Sequence, residues 1–184
     1  MNTKNVFSVL FVSALLVAGC ATRDRRAESE VPSSAARQVA ASEETSHVTE
    51  FSFSKGSSEL SETAKQDLRR VITDAKRTGN IKELKVISWG DSEYPSSETK
   101  KLSSEERDLV KKRNNAIRDY VKSYSEGLDV DAYSMAERPG VLKEIFNTSD
   151  ARVKKSLETA GIPTTANAKV PAKASKSIVM VITE

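Results

Sequence analysis

Few side chains in this 184-residue chain are equipped for chemistry. It holds one histidine, His47, and one cysteine, Cys20, so no Ser-His-Asp or Cys-His set can be assembled. Zinc would lack its usual ligands. Asp91 and Glu93 lie close together, but carboxylates in a polar loop stay ionised and solvated rather than working as an acid–base pair. The chain therefore reads as a binding protein, not an enzyme, with no metal or cofactor expected. Asp91, which follows the apolar run Val86-Ile87-Ser88-Trp89, and Arg113, in the run Lys111-Lys112-Arg113, are the candidates for recognition. Each has a plain alternative: a turn residue for Asp91, a solvated helix face for Arg113. Trp89, the lone tryptophan, reads as sheet packing rather than a sugar platform, and His47 as solvent-exposed.

Cys20 has a context of its own. Lys4 precedes an apolar stretch, Val6 to Ala18, that is short for a membrane span. The stretch ends in Leu16-Val17-Ala18-Gly19-Cys20, which resembles a lipobox, where small residues fit the signal peptidase and the thiol receives diacylglycerol. Residues 1–19 are then a lipoprotein signal peptide, and Cys20 is lipidated. A mature lipoprotein's several acyl chains anchor it firmly, where one would not. Ala21 after the cysteine, by resemblance to enterobacterial lipoproteins, directs the protein to the outer membrane, with its domain facing the periplasm. No second cysteine exists for a disulfide.

The net charge is +3 with basic and acidic residues interleaved, which gives no footprint for nucleic acid. Aromatics at 5% are too few for a stacking platform. Residues 20–47 hold Ala, Ser, Glu and Arg but few large apolar side chains, and read as a flexible linker. As a coil it would span roughly 30 Å, and fully stretched about 90 Å.

Residues 48–184 are patterned as one domain. Val48 to Ser54 alternates, with Phe51 and Phe53 on one face of a strand, and Lys55-Gly56-Ser57-Ser58 is a turn. Ala64, Leu68, Val71, Ile72 and Ala75 share a helix face behind the N-cap Ser61, and Gly79-Asn80 ends that helix. A second strand covers Leu84 to Trp89, and a polar loop runs from Asp91 to Lys101. The next helix, from near Ser103 to Tyr124, would bury Leu109, Ala116, Ile117, Tyr120, Val121 and Tyr124. A third strand is predicted over Asp129 to Met135. Ser177 to Thr183 is apolar on both faces and therefore predicted as a central strand. The order β-α-β-α-β, a helical region, then β predicts an α/β sandwich with helices packed on one sheet.

Those elements and their motifs resemble the OmpA-like domain found in peptidoglycan-associated lipoproteins, over about Val48 to Glu184. Phe51-Ser52-Phe53 through Leu60 matches the family's opening strand, turn and helix start. Val86-Ile87-Ser88-Trp89-Gly90-Asp91 stands where the family's second strand ends in aspartate. Leu109 with Arg113 four residues on, then Asp119-Tyr120-Val121, fits the family's second helix without a gap. The resemblance implies an OmpA-like β-α-β-α-β-β fold with helices on one mixed sheet, plus an inserted helical segment. It also implies that Asp91 and Arg113 hold the diaminopimelate of peptidoglycan, tethering outer membrane to cell wall. A guanidinium fork suits the carboxylate of such a zwitterion and a fixed carboxylate suits its amine.

The chain departs from the family pattern at several positions. Gly90 replaces a threonine, Glu106 an asparagine, and Lys176 is all that stands for paired arginines before the last strand. The stretch from Asp91 to Arg113 is lengthened, and a helical segment from about Gly140 to Ala160 is inserted. Arg107 is a rival to Arg113. Two readings follow: a lipid-anchored peptidoglycan binder, or an OmpA-like scaffold that has lost its glycan and binds envelope proteins. An open cleft between Asp91 and Arg113 would favour the first; a Glu106–Arg113 pair filling it would favour the second.

Overall fold

A computed structural model describes residues 30–95, 99–138, 151–155 and 174–184. Residues 1–19, expected to be a signal peptide, Cys20, residues 21–29 and most of the insertion expected over 140–160 lie outside the described residues. The elements are α1 (Ser34–Ser42), β1 (Val48–Ser52), α2 (Glu62–Thr78), β2 (Ile81–Ser88), α3 (Ser104–Tyr124), β3 (Val130–Ser134) and β4 (Lys176–Thr183). A further helical stretch occupies 151–155.

The fold is α+β, built on one open, mixed sheet of four strands in the order β1-β4-β2-β3. β4 runs antiparallel to both β1 and β2, and β2 pairs parallel with β3. The chain reaches β3 from β2 through α3, as a parallel neighbour requires. The apolar run of β4 follows from its central place: Val179 and Val181 face one cluster, Ile178 and Met180 the other.

The first cluster joins Phe51, Phe53, Leu84 and Val86 of the β1 and β2 region to Leu68, Val71 and Ile72 of α2 and Ile117 and Val121 of α3. Ser61 caps α2, its hydroxyl accepting from the Ala64 amide at 3.1 Å, and Lys76 and Arg77 suit the negative end of that helix. α3 is capped in the same way by Ser103.

Two expectations change. The buried face of α3 is Val110, Arg113, Asn114, Ile117 and Val121. Leu109, Ala116 and Tyr120 are half-buried, and Tyr124 is 45% exposed. Apolar periodicity turns Arg113 outward; the fold turns it inward, because main-chain acceptors wait there.

The second change concerns the segment read as linker. Within 20–47, Ser34–Ser42 is a helix capped by Ser33. It lays Ala35, Ala36, Val39 and Ala40 on a cluster with Ile87, Trp89, Tyr133, Ile178 and Met180 on the sheet face opposite α2 and α3. Both ends are pinned by lysines of the central strands. Lys85 of β2 pairs with Glu43 and Glu83, and Lys176 of β4 pairs with Glu30 and Glu50. Burial works against the charge of each lysine, but the carboxylates outweigh it and hold both pKa values above the ordinary one. The ordered body thus includes residues before Val48. Composition missed α1 because small side chains bury little surface alone and become a core only against a flat sheet.

Candidate functional site

The site lies at one end of the sheet, where β1 and β2 finish and β4 begins. Beyond β1, the chain turns through Lys55-Gly56, and Gly56 takes a left-handed φ of 70° that glycine alone adopts freely. Beyond β2 come Trp89, Gly90 and Asp91, and α3 delivers Arg113 from its buried face. The strand termini are laced together: the Trp89 amide donates to the Lys176 carbonyl at 3.0 Å, and the Phe53 amide to the Ser175 carbonyl at 2.7 Å.

Arg113 is 0% exposed. Its Nε donates to the Ser57 carbonyl at 2.9 Å, Nη1 to the Trp89 carbonyl at 2.8 Å, and Nη2 to the Ser54 carbonyl at 3.3 Å and Asp91 Oδ1 at 2.7 Å. The guanidinium also lies over the Phe53 ring, 4.9 Å from its centroid. A guanidinium has five N–H donors, so these bonds nearly exhaust it. Arg113 therefore fastens the β1–α2 turn, the end of β2 and Asp91 to one another, and faces no open cleft.

Asp91 keeps 12% of its side chain exposed. Its Oδ1 also accepts from the Ser175 hydroxyl at 2.8 Å, and its Oδ2 from the Gly56 amide. Burial pushes its pKa up, but the bonds from Arg113, Ser175 and Gly56 outweigh that and hold it below the ordinary value. A carboxylate with a lowered folded pKa stabilises the fold above its unfolded pKa, about 3.9, and that contribution is lost as pH falls through the folded value. Asp91→Asn should accordingly flatten the decline of stability below about pH 4. Urea midpoints of the two proteins between neutral and acid pH check this, and parallel declines would show that Asp91 does not govern the acid limb. Glu62 and Glu105 are also held low, but both are exposed and screened by solvent.

Glu106 pairs with neither arginine candidate. Its Oε2 accepts from the Asp91 amide at 2.7 Å and the Ser92 amide at 3.3 Å, and its Oε1 from the Ser92 hydroxyl at 3.2 Å. Positions 90 and 106 are sterically coupled. A Cβ on Gly90 would stand 1.9 Å from Glu106 Oε2, so the missing side chain at 90 is what admits the carboxylate from 106.

The structure brings Asp91 and Arg113 together and separates the others. Arg107 donates to the Leu102 carbonyl at 2.8 Å, at the start of α3, which leaves Arg113 as the partner of Asp91. Lys176 is engaged by Glu30 and Glu50, away from Asp91. Glu93 accepts from the Ala174 amide at 2.9 Å and braces the approach to β4. Trp89 is buried in the second cluster, in keeping with sheet packing. His47 is half-buried, not solvent-exposed, and bonds Thr78 at 2.8 Å.

Ser175, Gly56 and the carbonyls of Ser54, Ser57 and Trp89 were not legible as site residues. Only the Lys55-Gly56 turn carried a signal, since a main-chain acceptor leaves no mark in side-chain pattern. Beside the turn lies an open groove of about 270 Å³ lined by Ser52, Ser54, Ser57 and Ser61 with Glu59, Leu60 and Glu62. Among the described residues, Arg113 is the cation that meets Asp91, while Glu93 and Glu106 are taken up by main-chain amides and the Ser92 hydroxyl. The sealed guanidinium has no exposed surface for a ligand's carboxylate, whereas the Asp91 carboxylate keeps an exposed edge. No protein-family model matches the chain, and no curated protein matches it significantly.

Proposed function

We propose that the chain is an OmpA-like module, lipid-anchored through Cys20 to the outer membrane, that binds peptidoglycan noncovalently in the periplasm and ties membrane to wall. One observation carries this reading. Asp91 stands at the end of the sheet with 12% of its side chain exposed, held by Arg113, 22 positions on, in a 2.7 Å ion pair that leaves no open cleft between the two. In this reading Asp91 receives the ammonium of diaminopimelate, having an accepting position left beyond its three present bonds. Arg113 is the positioning residue that holds Asp91 and the β1–α2 turn in place. A weak site suffices, because a membrane-tethered domain meets a lattice of repeated ligands.

A second reading is favoured by the sealed guanidinium: a scaffold that has lost its glycan and serves as a protein-interaction module of the envelope. Co-sedimentation of the chain from Ala21 to Glu184 with diaminopimelate-type peptidoglycan separates the two. The wild type is expected to pellet, and Asp91→Asn, verified as folded, to bind at least roughly tenfold more weakly, the loss of one charge-assisted hydrogen bond. A wild type that stays in the supernatant would leave the scaffold reading.

A further inference from the structure

We infer that the loop after β2 is a carboxylate-binding nest that Glu106 fills in cis, and that a carboxylate of the wall peptide enters by displacing it. The identity of that ligand rests on the peptidoglycan reading above; the nest itself does not. Three donors converge on the one carboxylate: the amides of Asp91 and Ser92 and the Ser92 hydroxyl. The floor is bare because position 90 is glycine, and any Cβ there would overlap the bound oxygen. Glu106 sits in the first turn of α3, where negative charge is favoured, and reaches back to the loop instead of into water. Loop and helix thus make the contacts that a receptor makes to a ligand carboxylate, and the ligand is the chain's own side chain.

The placement answers a difficulty in the site. Arg113 is sealed and has no room for a second carboxylate, yet a zwitterion presents one beside its ammonium. The nest begins at the main chain of Asp91 itself, so an ammonium on the Asp91 carboxylate and a carboxylate on its amide are within reach of one small amino acid. Binding then includes the cost of expelling Glu106, which sets the affinity low and makes residue 106 the determinant of it.

Acetate is the fragment that Glu106→Ala deletes, and it probes the nest directly. Glu106→Ala should lower Tm, and sodium acetate should restore much of the loss, while sodium chloride at equal ionic strength should not. The wild type should not respond, its nest being full. Gly90→Ala should also lose Tm by evicting Glu106, but without acetate recovery, because its Cβ occupies the same place. Absence of rescue in Glu106→Ala, or equal rescue in Gly90→Ala, would overturn the nest. The ligand is tested separately: Glu106→Ala should pellet with peptidoglycan roughly tenfold more strongly than the wild type, about one displaced charge-assisted hydrogen bond. Rescue by acetate with no gain in pelleting would sink the wall-peptide assignment and leave the nest standing. Absent rescue beside normal wild-type pelleting would sink the nest and leave the glycan reading standing.

Discussion

Arg113→Ala is expected to cost about 3–5 kcal/mol of folding stability, the range for breaking a buried, hydrogen-bonded ion pair from one side. The guanidinium is fully buried, and its removal takes a donor from the carbonyls of Ser54, Ser57 and Trp89 and a counter-charge from Asp91. Phe53 loses the cation over its ring, and a cavity opens between the β1–α2 turn and the sheet. Domains of this size have about 5–15 kcal/mol in total, so the variant should sit near the edge of folding. Arg113→Lys should recover only part of the loss. An ammonium supplies the charge that Asp91 needs but has no planar fork to reach three carbonyls at once. Urea unfolding of the three proteins measures this, and a loss below about 1 kcal/mol in Arg113→Ala would be at odds with a buried, nearly saturated guanidinium. The consequence for binding assays is direct. Failure of an Arg113 variant to hold peptidoglycan says nothing about ligand contact unless its folded fraction is known, which is why Asp91 and Glu106 carry the functional tests.

Deleting α1 should have the next largest effect. A chain beginning at Val48 is expected to be less stable than one beginning at Ala21 by about 2–4 kcal/mol and to bind a hydrophobic dye that the longer chain excludes. The helix covers Ile87, Ile178 and Met180 with Ala35, Ala36, Val39 and Ala40, and its loss bares an apolar sheet face. The ion pairs add less to the difference, because Lys85 and Lys176 would be rehydrated along with the uncovered face rather than left buried and unpaired. Equal unfolding midpoints and equal dye binding would show that the docked helix contributes nothing. Docking also shortens the proposed anchor. Only nine residues lie between Cys20 and Glu30, so the body would stand at most about 35 Å from a lipid on Cys20, not the roughly 90 Å of a fully loose segment.

Much of the fold was legible in local pattern. The spacing of Leu68, Val71, Ile72 and Ala75 describes the buried face of α2, Ser61 and Ser103 cap the helices they precede, and the apolar run at Ile178 to Ile182 belongs to a central strand. Each is a statement about neighbours in the chain, governed by periodicity, capping and turn chemistry. Three matters were left to the tertiary structure. The alanine-rich segment at 34–42 becomes a helix of the core because a flat sheet face of Ile87, Ile178 and Met180 meets it. Arg113 turns inward because carbonyls from positions 54, 57 and 89 point at one place. Glu106 seats itself on the loop because Gly90 leaves the space. Residue types along a helix report what that helix can bury by itself. Whether a charge on it can be buried depends on acceptors contributed by distant main chain, and those converge only once the sheet has assembled.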